Sequence, residues 1–385
     1  MIFELLMAVF FGLLFGAIAG IVPGMHANFI GALILAGTVG PYSLISIVIM
    51  LVSSQFFEIL RAVFLFVPEE GNVLAMHPIF KFVSEGKALI VLKLSLLGLV
   101  IAMLIGVILS PLLILVMPPV FMFAKDYAVF FLAIIAVFLI LTDEHKFFAL
   151  LIFSLAGLVG WFGLEMLNQP LLILLTGFFG IPLLFQAKAH MPKQMMTYST
   201  FVGKKSIARG IGAAGLSSLL LTFIPAVGPA QASVFTRSIM KNVEEFFVAI
   251  GALSGFDTIF SMILLYAVGK ARIGVLEQAG KFFTFDFQTL VLLLFITFLI
   301  SIFSYAVVLW LGKFFVKHIE VVNYKWVGIG VLVFICGAAI VFDSWLGLFF
   351  LGAAAGVGWL ANKLQTKMSH CMGSLMIPTM INLIF

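Results

Sequence analysis

The chain has 385 residues, of which 64% are hydrophobic and 10% charged, with a mean hydropathy of +1.28 and a formal net charge of +5. Too little polar side chain exists to cover a water-soluble core, so the composition excludes a soluble globular protein. The basic residues lie in short connectors rather than in one arm or patch, so the charge does not indicate nucleic-acid binding. Apolar stretches of about 17 to 30 residues recur, each long enough to cross a bilayer. We predict an all-α polytopic membrane protein.

Four short motifs occur twice along the chain, about 200 residues apart and in the same order. They pair IVPGMHANF with FIPAVGPAQ, Glu58 with Asp257, GLVGW with GVGW, and GFFGIP with GSLMIP. Duplicated halves with interrupted apolar segments at matching positions are typical of secondary transporters. We therefore predict a first transmembrane repeat at 1–187, a basic cytoplasmic linker at 188–209 and a second transmembrane repeat at 210–385.

The first repeat begins with an apolar segment that Pro23 and Gly24 interrupt. A predicted helix at 42–67 and a polar connector at 68–86 follow. The segment 87–125 is too long for one upright helix and contains three prolines, which predicts a long tilted helix that ends in a broken turn.

The second repeat follows the same plan. An interruption at 225–229 precedes predicted helices at 243–268 and 287–315, and three further spans reach residue 385. We expect about ten to fourteen membrane segments in total. The charges of the equivalent connectors favour inverted repeats, each with a broken or re-entrant Pro/Gly segment.

The two interruptions predict the substrate site. Irregular backbone at membrane depth is tolerated only when it is buried in protein or lines a wet cavity. The unpaired amides at the start of each outgoing half-helix favour an anion. The alternative is a pair of structural proline kinks that allow close helix packing, but an interruption in both halves favours a site. The predicted substrate-binding residues are Pro23, Gly24, His26, Asn28, Arg61, Pro225, Gly228, Gln231 and Ser233.

Charged residues within the apolar segments predict how the binding of a cation is coupled to transport. Glu58 and Arg61 lie on one helix face, where they can neutralise each other. In the second half Phe260 stands at the position of Arg61, so Asp257 has no obvious partner nearby. We infer that Arg61 attracts a carboxylate or phosphate, while Glu58, Asp257 and Thr258 serve a coupling cation, sodium ion or proton. The alternative is a structural ion pair and a protonated or hydrogen-bonded aspartate.

The remaining polar residues indicate no metal or cofactor site. Asp143 and Asp343 stand at span ends, where we predict solvated loop residues. Cys336 and Cys371 are far apart within apolar segments, which predicts packing rather than a disulfide or metal ligand. The histidines are scattered singly, so no zinc site is predicted.

The paired interruptions, the acid that follows each of them about 32 to 35 residues later and the closing element GFFGIP resemble the large membrane subunit of tripartite tricarboxylate transporters, the TctA permeases. The resemblance covers nearly the whole chain and is closest to the shorter archaeal-type members. It implies a two-repeat permease that moves small carboxylates with an ion gradient. It also implies that Pro23, Gly24, Pro225 and Gly228 shape the site. Compact loops leave open whether the accessory binding-protein and small membrane subunits of the family exist here.

The predicted function is ion-coupled, alternating-access transport of small organic anions, of the di- or tricarboxylate class, across the cell membrane. The second candidate is a polyprenyl-phosphate translocase, which uses similar electrostatics but needs a lateral opening to the bilayer. A third, an intramembrane hydrolase with Glu58 and Asp257 as paired carboxylates, is disfavoured because the motifs Gly-x-Gly-Asp and His-Glu-x-x-His are absent from the sequence. No enzymatic activity is expected, and a homo-oligomer is left open.

Overall fold

The computed structural model describes residues 2–22, 25, 27–37, 40–69, 71–185, 192–196, 203–222, 229–319 and 323–384. A π-helical turn at Thr176–Gly180 links α7 to α8. Short 3-10 turns, Val73–Ala75 and Met368–Met372, precede α4 and α15. The helices are α1 (Ile2–Ile21), α2 (Ala27–Gly37), α3 (Pro41–Leu65), α4 (Met76–Ser84), α5 (Ala88–Leu141), α6 (Lys146–Met166), α7 (Pro170–Leu175), α8 (Ile181–Leu184), α9 (Lys204–Thr222), α10 (Pro229–Ile239), α11 (Val243–Val268), α12 (Gly274–Ala279), α13 (Phe287–His318), α14 (Tyr324–Lys363) and α15 (Gly373–Ile384). The backbone of α14 is non-helical at Ser344, so α14 consists of two helices joined at a kink.

The helices have the lengths and composition of membrane spans. Among the described residues, seven helices are long and apolar enough to cross a membrane, and shorter apolar helical segments accompany them. Large apolar side chains such as Phe3, Val341 and Trp345 are exposed on the outer helices, which suits contact with lipid. These features confirm the prediction of an all-α, multi-pass membrane protein.

Two predicted helix boundaries differ from the structure. The break expected after 87–125 is wrong, because α5 continues through Pro111, Pro118 and Pro119 to Leu141. Membrane helices tolerate proline where neighbouring groups satisfy the freed carbonyls, so these residues do not end the helix. In addition, α9 begins at Lys204, within the segment predicted as linker.

Close glycine contacts reveal the direction in which α5 and α11 pack. Gly98 of α5 lies against the carbonyl group of Val248, and Gly106 lies against Ile259 farther along α11. The contact positions rise together along both helices, so the two run parallel. Small residues allow backbones to approach this closely in a membrane, where packing drives helix association.

The helix α13 runs in the opposite direction. Gly312, near its end, lies against Leu92 near the start of α5. Thr297, in its first half, donates a hydrogen bond of 3.8 Å to the sulfur of Met262 near the end of α11. Since α5 and α11 are parallel, α13 is antiparallel to α5. These two helices correspond in the predicted repeats, and inverted repeats require opposite directions.

The closing motifs dock crosswise between the predicted repeats. Gly160, in GLVGW, lies against the backbone of Ser374 in GSLMIP, where an added Cβ would approach the carbonyl oxygen to 1.9 Å. Gly358, in GVGW, lies equally close to the carbonyl oxygen of Phe178 in GFFGIP, at 2.1 Å from such a Cβ. The helix that carries the Gly-Trp motif in each half, α6 or α14, therefore packs on the closing element of the other half. The halves are interlocked, not side by side.

Two buried aspartates stabilise this crosswise packing of the closing elements. The prediction that they are solvated loop residues is therefore wrong. Asp143 is 4% exposed and Asp343 is 7% exposed. Asp143 accepts hydrogen bonds from the Lys367 amide at 3.1 Å and from Nε2 of His370 at 2.8 Å. Asp343 accepts from the amides at 168–169, directly before α7. Each aspartate satisfies amides at the start of the other half's closing element.

The contact between His370 and Asp143 predicts a pH-dependent stability. Burial lowers the pKa of His370 more than the bond to Asp143 raises it. Burial alone would raise the pKa of Asp143, but the hydrogen bonds from His370 and from backbone amides hold it at about 2, so this carboxylate stays ionised near neutral pH. As the pH falls below about 6.5, the unfolded chain binds a proton before the folded one, so stability is full above this value and declines below it.

We expect the melting temperature in detergent to fall as the pH is lowered from about 7.5 to about 5.5, a range that brackets the ordinary histidine pKa. The variant His370→Gln keeps a donor for Asp143 but cannot titrate, so its melting temperature should change less over the same range. If wild type and variant show equal pH dependence, another group is responsible.

Candidate functional site

Part of the predicted site lies outside the described residues: Pro23, Gly24, His26, Pro225, Gly228 and the side chain of Gln231. The structure places the helices on either side of both interruptions. The first apolar segment is divided between α1 and α2, and the equivalent segment of the second half between α9 and α10. Residues 23–24, 26 and 223–228, at the interruptions themselves, lie outside the described residues, so the breaks at these positions stay a prediction.

The centre of the fold is the crossing of α3 and α11. Of their apolar windows, 89% and 94% of the residues are buried, against 28% for α1. At the crossing, Nε2 of Gln55 donates a hydrogen bond to Oγ1 of Thr258, which in turn donates to the carbonyl oxygen of Ser254 at 3.2 Å. The side-chain oxygen of Gln55 is buried without a hydrogen-bond partner in the described structure. Gln55 was missed from the sequence, although an amide within an apolar run is itself a signal.

Arg61 occupies a different environment from the predicted one. Its side chain is 1% exposed and forms an ion pair with Glu69, from the connector that follows α3. It also donates to the carbonyl oxygen of Val22 at 3.3 Å, at the end of α1. Glu58 is half-buried one turn earlier, where its backbone lies against Gly20 of α1. Arg61 therefore ties the first interruption to α3 and the connector.

Asp257 has the partner that the sequence did not indicate. Nη1 of Arg272, from the connector that follows α11, lies 2.7 Å from Oδ1 of Asp257. The side chains of Arg272 and Asp257 keep 14% and 11% of their surface exposed, so this pair is more accessible than Arg61. The arginine and the acid of the ion pair exchange places between the two halves. In the first half the helix carries the arginine and the connector the acid, whereas in the second half the helix carries the acid and the connector the arginine.

Unsatisfied polar atoms surround the Asp257–Arg272 pair. The 2.7 Å contact is not aligned as a hydrogen bond, and Oδ1 of Asp257, Nη2 of Arg272 and Oγ of Ser261 are buried without a hydrogen-bond partner in the described part of the chain. Ser261 lies one turn after Asp257 and so on the same face of α11. Buried polar atoms without partners are uncommon and indicate a place for water, an ion or a ligand.

The connectors of the two halves also reach the interruptions. Asn28, at the start of α2, accepts a hydrogen bond of 2.8 Å from the amide of Val275 in α12. In the reverse sense, Gly71 of the first connector lies near Oγ of Ser254 and near Pro229 at the start of α10. Each connector therefore meets the outgoing half-helix of the other half. Segments that looked like surface loops in the sequence contribute to the centre of the protein.

The remaining predicted residues lie around this centre. Ser233 is completely buried in α10, and Thr258 is completely buried in α11. Gln55, Thr258, Asp257 and Arg272 form a polar group that both halves supply. With its arginine, carboxylate and neutral oxygens, this group can bind an anion and a cation together.

Comparison with known proteins gives two matches. The model of the tripartite tricarboxylate transporter TctA family matches residues 6–373. An uncharacterized protein of Methanocaldococcus jannaschii is 26% identical over 389 residues, which cover 96% of each chain. No solved structure gives a significant match. Because the family match spans nearly the whole chain and the fold is that of a multi-pass membrane protein, this protein belongs to the tripartite tricarboxylate transporter TctA family, as a component of a secondary transporter and not an enzyme.

Proposed function

We propose that the protein is an ion-coupled permease for small organic anions of the di- or tricarboxylate class. The observation that carries this proposal is the Asp257–Arg272 pair, which lies beside the α3–α11 crossing and has unpaired polar atoms on both partners. A guanidinium group binds a carboxylate through two parallel hydrogen bonds, and Nη2 of Arg272 has such capacity left. Arg272 thus takes the role that the sequence assigned to Arg61.

The ion pair offers a mechanism for coupling. An incoming carboxylate competes with Asp257 for Arg272, and a displaced Asp257 is a buried charge without compensation. A cation, sodium ion or proton, restores neutrality at Asp257. The site is neutral when it is empty. A bound dicarboxylate adds two negative charges and a tricarboxylate three, so neutrality returns only when as many cations, sodium ions or protons, bind with the substrate; the substrate without its cations leaves the site negative. Because a net charge is costly in a low-dielectric interior, only the two neutral states change their access readily.

The helix directions support alternating access. α5 and α13 run antiparallel, and each connector meets the outgoing half-helix of the other half. Inverted repeats supply two related arrangements of one chain around a fixed site, one open to each side of the membrane. Because the closing element of each half packs on a helix of the other half, movement of one half is coupled to movement of the other.

The second candidate, a polyprenyl-phosphate translocase, needs a lateral route from the bilayer to the anion site. A lateral apolar groove does open between α5 and α9, and Phe256 and Phe260 contribute to its lining. Asp257 and Arg272 do not line this groove. The polar pair lies apart from this lateral groove, which favours a water-soluble anion over a lipid.

Counterflow in proteoliposomes tests the proposal. Vesicles loaded with unlabelled di- or tricarboxylate should take up the labelled compound in a saturable manner, and protein-free vesicles should not. Vesicles that contain polyprenyl phosphate in one leaflet provide the competing assay. Exchange of the lipid phosphate without carboxylate counterflow would favour the translocase, and the absence of both activities would contradict anion transport.

A further inference from the structure

The groove between α5 and α9 is a separate feature of the molecule. It has a volume of about 540 Å³ and is formed by α5, α9 and the α11 residues Phe256 and Phe260. Its walls are apolar, and Leu109 and Leu216 on its rims are exposed. Lys204, the first residue of α9, is the one charged residue in its lining. The volume is within the range of ligand sites, but the walls offer nothing to orient a polar solute.

The length of the groove fits an acyl chain. Its lining on α9 extends from Lys204 to Leu219, fifteen residues later, a rise of about 22 Å at 1.5 Å per residue. One leaflet of hydrocarbon is about 15 Å thick, half of a 30 Å core. An extended chain can therefore lie in the groove while its head group remains at the level of Lys204.

The charge at the groove end comes from Lys204. Farther along α9, Nη1 of Arg209 forms an ion pair of 2.6 Å with Glu245. That pairing offsets the charge of Arg209, whereas Lys204 is exposed and lines the end of the groove. A basic residue at an apolar groove complements a lipid phosphate.

The α9 side of the groove is open beside two of its glycines. Gly212 has open space beside it, and Gly215 faces only the ring of Phe256. One half-turn earlier, Gly210 packs against the backbone of Glu245 in α11. α9 is therefore held against α11 at this point and leaves a hollow toward α5 that hydrocarbon fills at no cost in buried polar groups.

We propose that the groove binds one acyl chain of an anionic phospholipid whose phosphate pairs with Lys204. The bound lipid fills the hollow between α5 and α9 and holds α9, the helix directly before the second interruption, against α11. This binding does not depend on the transported substrate.

Native mass spectrometry of delipidated protein tests the proposal, with phosphatidylglycerol and phosphatidylcholine added at equal mole fraction. Wild type should retain the anionic lipid with about a fivefold preference, the effect of one basic residue near a phosphate. Lys204→Gln should lose this preference, whereas the matched change Lys205→Gln, beside the groove, should keep it. Gly212→Leu should fill the groove and reduce retention of both lipids, whereas Gly330→Leu, at an equally open glycine of α14, should retain them.

Equal retention of the two lipids by wild type, or unchanged retention in Gly212→Leu, would overturn the proposal. If Gly212→Leu does not fold, Ala208→Leu fills the same groove from the next turn. Stoichiometric co-purification of a membrane protein that Gly212→Leu releases, without a retained lipid, would show that a protein helix occupies the groove instead.

Discussion

Replacing Arg272 with glutamine is expected to weaken carboxylate binding strongly. A hydrogen bond to a charged group contributes about 1.5–3 kcal/mol, so the affinity should fall about 10- to 150-fold. The single change also leaves the Asp257 carboxylate buried without the guanidinium group that balances its charge, which lowers the stability of the fold. The double variant Arg272→Gln with Asp257→Asn removes both charges and should recover the folded yield without recovering binding. Equilibrium binding to purified protein, measured beside melting temperature, separates the two effects.

Arg61→Gln is the matched control for this prediction. Arg61 is almost completely enclosed and pairs with Glu69, so its loss should reduce the yield of folded protein by leaving that acid uncompensated. The Arg61→Gln molecules that do fold should bind carboxylate nearly as wild type does. The opposite result would be that Arg61→Gln folds fully but does not bind carboxylate, while Arg272→Gln binds it normally. That result would show that Arg61, not Arg272, binds the anion.

A side chain at Gly251 is expected to prevent folding. An added Cβ would lie 1.8 Å from the carbonyl oxygen of Ser95, and a second glycine, Gly98, lies similarly close to Val248 on the opposite side of the interface. Both obstacles are backbone atoms, which cannot rotate away as a side chain can. Overpacking of a core commonly costs about 1–3 kcal/mol, and Gly251→Leu should exceed this because α5 and α11 must separate.

The yield of monodisperse protein after detergent extraction measures the effect of Gly251→Leu. Gly352→Leu, in an exposed turn of α14 where an added Cβ meets nothing, controls for the change in backbone propensity. Similar yields of the two variants would show that α5 and α11 do not pack as closely as their contacts indicate.

The site was partly predictable from the sequence. Asp257 and Thr258 were recognised because polar side chains in an apolar segment are costly and need a reason to be there. The partners of Asp257 and Thr258 were not recognised from the sequence. Arg272 and Gln55 come from a connector and from the other half, and no local spacing relates either of them to Asp257. The crosswise bonds of Asp143 and Asp343 were missed for the same reason.

The sequence by itself determined that this protein is a helical membrane protein, because hydropathy and helix length depend on residues that are near neighbours in the chain. It also predicts where the first apolar segment of each half is interrupted, because proline and glycine act on their own backbone. Only the tertiary structure decided which charged residues pair and which glycines touch the backbone of another helix. It also decided which half supplies the aspartate that accepts hydrogen bonds from the amides of each closing element. These depend on how the crosswise packing of the two halves brings distant residues together, and each of these residues has several possible partners of similar chemistry until the helices are placed.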